Sequence, residues 1–173
     1  FCLSRGLGDV YKRQEGASRR AVAIHEALWA ANPDHVGVGA GLGGALNNLG
    51  ILLSAAGRAA EAEGAYRRAV AIHEALWAAN PDNVGDSLGM ALNNLGNLLR
   101  ASGRAAEAEG AYRRSVEIRE ALWAANPDHV GVGDGLGSAL NGLGVLLRAS
   151  GRAAEAERAY RRAVEIHEAL WAA

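Results

Sequence analysis

The sequence is poor in several residue types that would indicate particular kinds of protein. Its 173 residues include one cysteine (Cys2), one phenylalanine (Phe1) and one lysine (Lys12), and all three precede residue 15. A single cysteine cannot form an intrachain disulfide, so such cross-links play no part in the fold. A formal net charge of −1 gives no basic field, so we predict no nucleic-acid partner.

Long apolar runs and clusters of ligating side chains are also lacking. No run approaches the roughly 20 residues that a membrane helix needs, so we expect no membrane association and a cytoplasmic location. Histidine, aspartate and glutamate nowhere gather as three converging ligands. We therefore expect no metal, no cofactor and no catalytic residues, and we predict that the chain is not an enzyme.

The first residues differ in character from the rest. Residues 4–14, SRGLGDVYKRQ, resemble the in-frame translation of an adapter used in transposon-based sequencing libraries. We predict that residues 1–14 are a non-native, unstructured segment, and that residues 15–173 are a fragment of a longer reading frame.

Internal repetition is the strongest positive signal. The string ALWAANPD begins at residues 27, 75 and 121, and GRAAEAE begins at residues 57, 103 and 151. Tryptophan recurs with spacings of 48, 46 and 48 residues, at Trp29, Trp77, Trp123 and Trp171. A fixed period of this length indicates a repeat architecture.

Each repeat has the pattern of two helices. In the middle repeat, Leu92, Leu95 and Leu99 recur at helical spacing, and Gly103 suits the left-handed cap that ends a helix. A second helix follows and should end near Asn126, which precedes a proline. We predict an all-α fold with an isolated second helix at 15–31 and helix pairs at 32–79, 80–125 and 126–173.

The middle repeat also carries Leu95-Gly96, then Ala108 and, four residues later, Tyr112. This spacing resembles the tetratricopeptide repeat, and the LNNLG string resembles the kinesin-light-chain subgroup and its bacterial relatives. The resemblance covers residues 15–173 and implies a right-handed α-solenoid of about 3.5 helical hairpins. The chain departs from the family pattern at Leu92, where a tryptophan is usual, and in the greater length of its repeats.

The resemblance further implies an interaction scaffold, in which the first helices line a concave groove that binds a peptide or protein segment. Asparagine amides can hold a peptide backbone there, and arginine side chains can bind carboxylates. The predicted groove residues are Asn47, Asn48, Asn93, Asn94, Asn97, Arg100, Asn141 and Arg148. The alternative is that the asparagines bond between neighbouring repeats and only hold the superhelix together.

A second hypothesis for function is a regulatory arm of a larger signalling enzyme, whose catalytic domain would lie outside this fragment. We expect both ends of the array to present helix faces without the polar capping element that terminal repeats carry. Self-association through those ends is therefore a further expectation.

Three other recurring features have structural interpretations. His25, His73 and His167 share a position that holds Arg119 in the middle repeat, so we expect a solvated or snorkelling side chain rather than a metal ligand. Residues 39–44 match G-x-G-x-x-G without a preceding strand, so we expect a glycine-weakened helix start and no nucleotide site. The tryptophans should fill gaps between repeats, and the paired arginines should lie on a solvated face beside glutamates.

Overall fold

The computed structural model describes the backbone of residues 2–79 and 81–172, and the side chains of residues 12–78 and 84–172. These residues form seven α-helices and no strand, which confirms the predicted all-α fold. The helices are α1 (Cys2–Ala31), α2 (Val36–Ala55), α3 (Ala59–Ala79), α4 (Pro81–Ala101), α5 (Ala105–Ala125), α6 (Val130–Ala149) and α7 (Ala153–Ala172). They fall into two compact units, which are described separately: unit 1, Phe1–Ala79, and unit 2, Asn80–Ala173.

Helix α1 differs from the expectation for the N-terminal segment. It runs from Cys2 to Ala31 without a break, so residues 2–14 are helical where the sequence predicted no structure. Lengthening an existing helix by one residue adds a hydrogen bond without a new nucleation step. A helix that packs through residues 15–31 can therefore extend toward the N-terminus. Phe1 lies outside the described residues, and the non-native origin of the segment stays a prediction.

The turns inside each helix pair have one construction. Gly57, Gly103 and Gly151 adopt φ values of 74°, 75° and 76°. At the middle turn, the amide of Arg104 donates to the carbonyl of Leu99 at 2.9 Å, and the amide of Gly103 donates to that of Arg100 at 3.1 Å. These two bonds form a Schellman cap. The left-handed cap predicted at Gly103 is therefore confirmed.

The turns between repeats place a histidine at the start of a first helix. Nδ1 of His35 accepts a hydrogen bond from the amide of Val38 at 3.3 Å, and Nδ1 of His129 accepts one from the amide of Val132 at 3.2 Å. The first amides of a helix have no partner within the helix. Each histidine thus caps its helix, α2 or α6.

The glycine-rich stretch of α2 is a close-packing surface. A Cβ at Gly39 would lie 2.0 Å from the ring of Trp29, and one at Gly43 would lie 2.5 Å from the ring of His73. Helix α2 starts at Val36 and is continuous through these glycines. The G-x-G-x-x-G match therefore lies within a helix, where glycine lets α1 and α3 approach α2.

Two helices of the described chain, α2 and α6, are long and apolar enough to cross a membrane by length and composition alone. The expectation that no apolar run reaches membrane-spanning length was therefore wrong. Glycine and alanine fill the positions between the leucines of these helices, so the whole helix counts as apolar. In the structure, 44% of the α2 stretch and 56% of the α6 stretch is buried inside the protein. Core helices pass the same test, so the two stretches are weak evidence for a membrane segment.

In unit 2, consecutive repeats share one hydrophobic core. Its buried residues come from three helices, α5, α6 and α7: Trp123, Val132, Leu136, Leu140, Ala159, Ala163 and Ile166. Trp123 belongs to the second helix of one repeat and packs against Gly133 on the first helix of the next. The predicted gap-filling role is thus confirmed for Trp123, whereas Trp171 is 92% exposed.

An ion-pair cluster of constant composition joins neighbouring repeats in each unit. Arg152, just before α7, pairs with Glu109 of α5 at 2.7 Å and with Glu155 at 2.6 Å. Hydrogen bonds from Arg152 and then Arg113 hold the pKa of the Glu109 carboxyl below its usual range. The equivalent residues of unit 1 are Glu15, Arg19, Arg58 and Glu61. The cluster of unit 2 thus connects the start of α7 to α5, and the cluster of unit 1 connects the start of α3 to α1.

Candidate functional site

One face of α4 is polar. Asn93, Asn97 and Arg100 follow one another at spacings of four and three residues, which places them on the same side of the helix. Asn97 and Arg100 are exposed and Asn93 is half-buried, whereas Leu95 and Leu99 of the same helix are buried. The apolar residues hold α4 in the unit, and the polar residues remain at its surface.

The same positions on α6 hold Asn141, Val145 and Arg148, and all three are exposed. Helices α4 and α6 contact each other within unit 2. The two rows therefore form one surface, which we call the first-helix surface: Asn93, Asn97, Arg100, Asn141, Val145 and Arg148. Five of the eight residues predicted from the sequence belong to it.

A hydrogen-bonded group of three side chains lies within this surface. The hydroxyl of Tyr112, on α5, donates to Oδ1 of Asn97 at 2.8 Å. Nε of Arg100 in turn donates to that hydroxyl at 3.4 Å, a longer contact. Tyr112 itself is fully buried. Asn97 and Arg100 thus combine exposure to solvent with attachment to a rigid residue beneath them.

Asn93 and Asn94 lie deeper. Both are half-buried, and Oδ1 of Asn93 is buried without a hydrogen-bond partner among the described residues. A buried acceptor without a partner costs free energy that the fold has to offset. Sequence spacing alone had placed both asparagines in the predicted groove, but it could not indicate their depth.

The remaining predicted groove residues, Asn47 and Asn48, belong to α2 of unit 1. Asn48 is exposed, but Asn47 is only 5% exposed. Neighbouring helix positions point about 100° apart because a turn holds 3.6 residues, so one of the two can face the packed interior while the other faces solvent. The structure therefore does not present the Asn47 amide to a ligand.

The shared histidine and arginine position is buried in two of its four occurrences, contrary to the expectation. His73 is 1% exposed and Arg119 is 3% exposed, whereas His25 and His167 are half-buried. Nε of Arg119 donates to Oδ1 of Asp86 at 3.0 Å, and its Nη1 donates to the carbonyl of Gly135 at 2.9 Å. The expectation failed because glycines opposite this position let the ring or guanidinium enter the helix interface.

The surroundings of this position differ from repeat to repeat. In the last repeat, Nδ1 of His167 lies 3.8 Å from Oδ1 of Asp134, which stands where the middle repeat has Asp86. The corresponding residue of the first repeat is Ala40. Nδ1 of His73 has no partner among the described residues, and burial lowers the pKa of His73.

The paired arginines behave as expected. Arg113 and Arg161 each pair with the glutamate four residues earlier, at 2.8 and 2.5 Å. Arg114 pairs with Glu117 at 2.8 Å. These second-helix residues form a solvated face of alternating charge. Within residues 12–78 and 84–172, no group of three histidine, cysteine, aspartate or glutamate side chains is placed to hold a metal ion.

Comparison with known proteins agrees with this architecture. No match is found among curated proteins. A crystal structure of MamA is 19% identical, with a TM-score of 0.52 over 91% of this chain and 92% of that chain. A second crystal structure of MamA is 18% identical, with a TM-score of 0.51 over 92% and 91%. At these identities the likeness concerns the fold.

A kinesin-light-chain-type protein of Podosopora anserina with nearly identical TPR-like repeats is 16% identical, with a TM-score of 0.41 over 98% of this chain and 96% of that chain. The family model for the tetratricopeptide repeat matches residues 42–121 and 87–169, which together span most of the sequence. The prediction made from the Leu-Gly, Ala and Tyr spacing is confirmed. The chain belongs to the tetratricopeptide repeat family and has its all-α helical-repeat solenoid fold.

Proposed function

We propose that the protein is an interaction scaffold and that its first-helix surface binds an extended peptide or protein segment. Tetratricopeptide repeats generally mediate protein–protein interaction. The proposal for this surface rests on one observation. One row of mostly polar side chains reaches the surface on both helices, exposed throughout on α6 and exposed on α4 except for the half-buried Asn93, while the leucines of the same helices are buried.

The chemistry of the surface suits a peptide backbone. An asparagine side chain offers both a donor and an acceptor, so it can bond a peptide group whatever side chain that peptide carries. Asn97 and Asn141 are exposed on neighbouring helices and could contact successive peptide groups. The amides would then supply affinity that depends little on the sequence of the ligand.

The charges of the surface give the ligand a direction. Arg100 and Arg148 lie in the last turns of α4 and α6, and both are exposed. Near the opposite end of α6 lies the exposed Asp134, whereas the charge of Asp86 on α4 is paired with Arg119. A guanidinium binds a carboxylate through paired hydrogen bonds, so we expect the acidic part of a ligand to lie at the arginine end.

The competing interpretation is that the asparagines serve only to hold the array together. Asn97 does bond to Tyr112, but this bond uses its oxygen and lies within one repeat. Asn141 is exposed and makes no hydrogen bond among the described residues. These placements favour a role at the surface over a purely internal one.

The test is a peptide-display selection against the whole chain, followed by affinity measurements on the selected peptides. We expect the double variant Asn93→Ala/Asn141→Ala to weaken binding by about tenfold or more, since each lost hydrogen bond is worth about 1 kcal/mol. The matched control is Glu157→Ala/Arg161→Ala, which removes an exposed ion pair from α7. Equal affinities for the two double variants would refute the proposal.

A further inference from the structure

The ring of Tyr112 is held firmly in unit 2. It lies against Gly96 on the first helix of its own repeat and against Gly142 on the first helix of the next. A Cβ at either glycine would come within 3.0 Å of the ring, at 2.9 Å and 2.6 Å respectively. The phenol therefore has little room to move, and its hydroxyl reaches the first-helix surface from below.

The hydrogen bonds of this hydroxyl have only one possible direction. Nε of Arg100 is a donor and cannot accept, so the Tyr112 oxygen accepts from it. The single hydroxyl hydrogen is then given to Asn97, which must offer its oxygen, in agreement with the 2.8 Å contact to Oδ1. The orientation of the Asn97 amide follows, with oxygen toward Tyr112 and NH2 away from it.

We propose that Tyr112 is a positioning residue that turns Asn97 into a fixed hydrogen-bond donor on the first-helix surface. A ligand segment must then place an acceptor oxygen, such as a backbone carbonyl, opposite Asn97. This inference rests on the proposed function for the ligand, but the orientation of the amide is a property of the free protein.

The arrangement occurs in one repeat. Tyr66 and Tyr160 correspond to Tyr112, but the positions that correspond to Asn97 hold Ile51 and Val145. An aliphatic side chain cannot accept from a phenol. On α6, which contacts α4, the corresponding position holds the apolar Val145, which is 38% exposed. We therefore expect a bound segment to place an acceptor oxygen at Asn97 and an apolar group at Val145.

The free protein supplies the first test, by NMR of the Asn97 side-chain amide. We expect a restrained side chain whose two amide protons both exchange with water as readily as those of an exposed amide, because they point away from Tyr112. Tyr112→Phe keeps the ring and removes the hydroxyl, so it should make this amide mobile. One strongly protected amide proton, or unchanged mobility in the variant, would overturn the assignment.

The second test is a double-mutant cycle, measured with a peptide selected against the unmodified chain. We expect Tyr112→Phe to weaken binding by about threefold to tenfold, and to have no further effect once Asn97→Ala is present. Asn97→Asp keeps the acceptor toward Tyr112 but has no donor, so it should lose as much affinity as Asn97→Ala. Additive effects of the two changes would show that Tyr112 does not act through Asn97.

Controls separate the possible failures. Tyr160→Phe removes the equivalent hydroxyl, which faces no asparagine, and should leave affinity unchanged. Thermal unfolding of Tyr112→Phe checks that the packing survives. If no peptide is selected, or if Asn93→Ala/Asn141→Ala binds normally, the proposed function fails while the NMR result still decides the orientation of Asn97.

Discussion

The ring of Tyr112 occupies the space that a side chain at Gly142 would need. A Cβ on Gly142 would lie 2.6 Å from Cε1 of Tyr112, and Tyr112 is fully buried. The last repeat has this glycine in the string LNGLG, where the first repeat has Asn48 in LNNLG. In unit 1, the position that corresponds to Tyr112 before α2 is Ser18, and Asn48 is accordingly exposed.

Gly142→Ala should therefore destabilise the protein although alanine favours helix. We expect a loss of about 1–3 kcal/mol, because a methyl group forced against a close-packed ring displaces it. The control is Gly110→Ala in α5, where a Cβ meets nothing within 4 Å. That variant should gain roughly 0.5–1 kcal/mol from helix propensity. Denaturant unfolding followed by circular dichroism measures both, and equal effects would contradict the packing described.

Asn93→Ala should separate stability from binding. Its Oδ1 is buried without a partner among the described residues, so removing the amide should leave stability unchanged or raise it by about 1 kcal/mol. The same change should weaken binding of a selected peptide. Melting temperature and affinity can be measured on one preparation. A clear loss of stability would mean that the Asn93 amide is satisfied in the folded protein.

Arg119→Met should destabilise unit 2. The buried guanidinium donates to Asp86 and to the carbonyl of Gly135, and methionine offers neither bond. We expect a loss of about 1–3 kcal/mol, since acceptors left without a donor lose more than the mean value of a hydrogen bond. Arg161→Met is the control, because Arg161 is 65% exposed in its pair with Glu157, and it should change stability by less than about 0.5 kcal/mol. Equal losses would count against the buried bonds.

Stability should fall on mild acidification because of His73. Burial lowers the pKa of His73 in the folded state, so the unfolded chain binds more protons there. The penalty is absent above the unfolded pKa of about 6.5 and grows as the pH falls below it. We expect the melting temperature to drop between about pH 7.5 and about pH 5.5, and to drop much less in His73→Leu.

The matched variant for this pH series is His167→Leu, because the His167 side chain is 41% exposed and lies near Asp134. It should keep most of the slope of the unmodified protein. The glutamates whose pKa is lowered by arginine, such as Glu109 and Glu155, add their own loss only below about pH 4.3. Identical slopes in all three proteins would rule out His73 as the source.

Much of the fold could be predicted from local sequence. Leu95 and Leu99 recur at helical spacing and are buried, and Gly103 carries the positive φ that the cap requires. These features depend on backbone geometry within a few residues, so the sequence contains all that decides them. The polar row of α4 could be predicted for the same reason, because residues three and four apart share a side of any helix.

Depth within the structure could not be predicted in this way. Asn47 and Asn141 occupy corresponding positions, yet the first is 5% exposed and the second is exposed. Arg119 was expected to be solvated or snorkelling because histidine and arginine exchange at its repeat position, but Asp86 and the carbonyl of Gly135 satisfy it from two other helices. Partners that lie 33 and 16 residues away along the chain leave no local signal.

The sequence by itself determined that the chain forms helical hairpins, where their turns lie, and which family they belong to, because periodicity and glycine caps act over a few residues. The tertiary structure alone decided which asparagines reach the surface and that Tyr112 lies beneath Asn97. Those relationships depend on how closely one helix approaches the next, and that distance is set by side chains far apart in the chain.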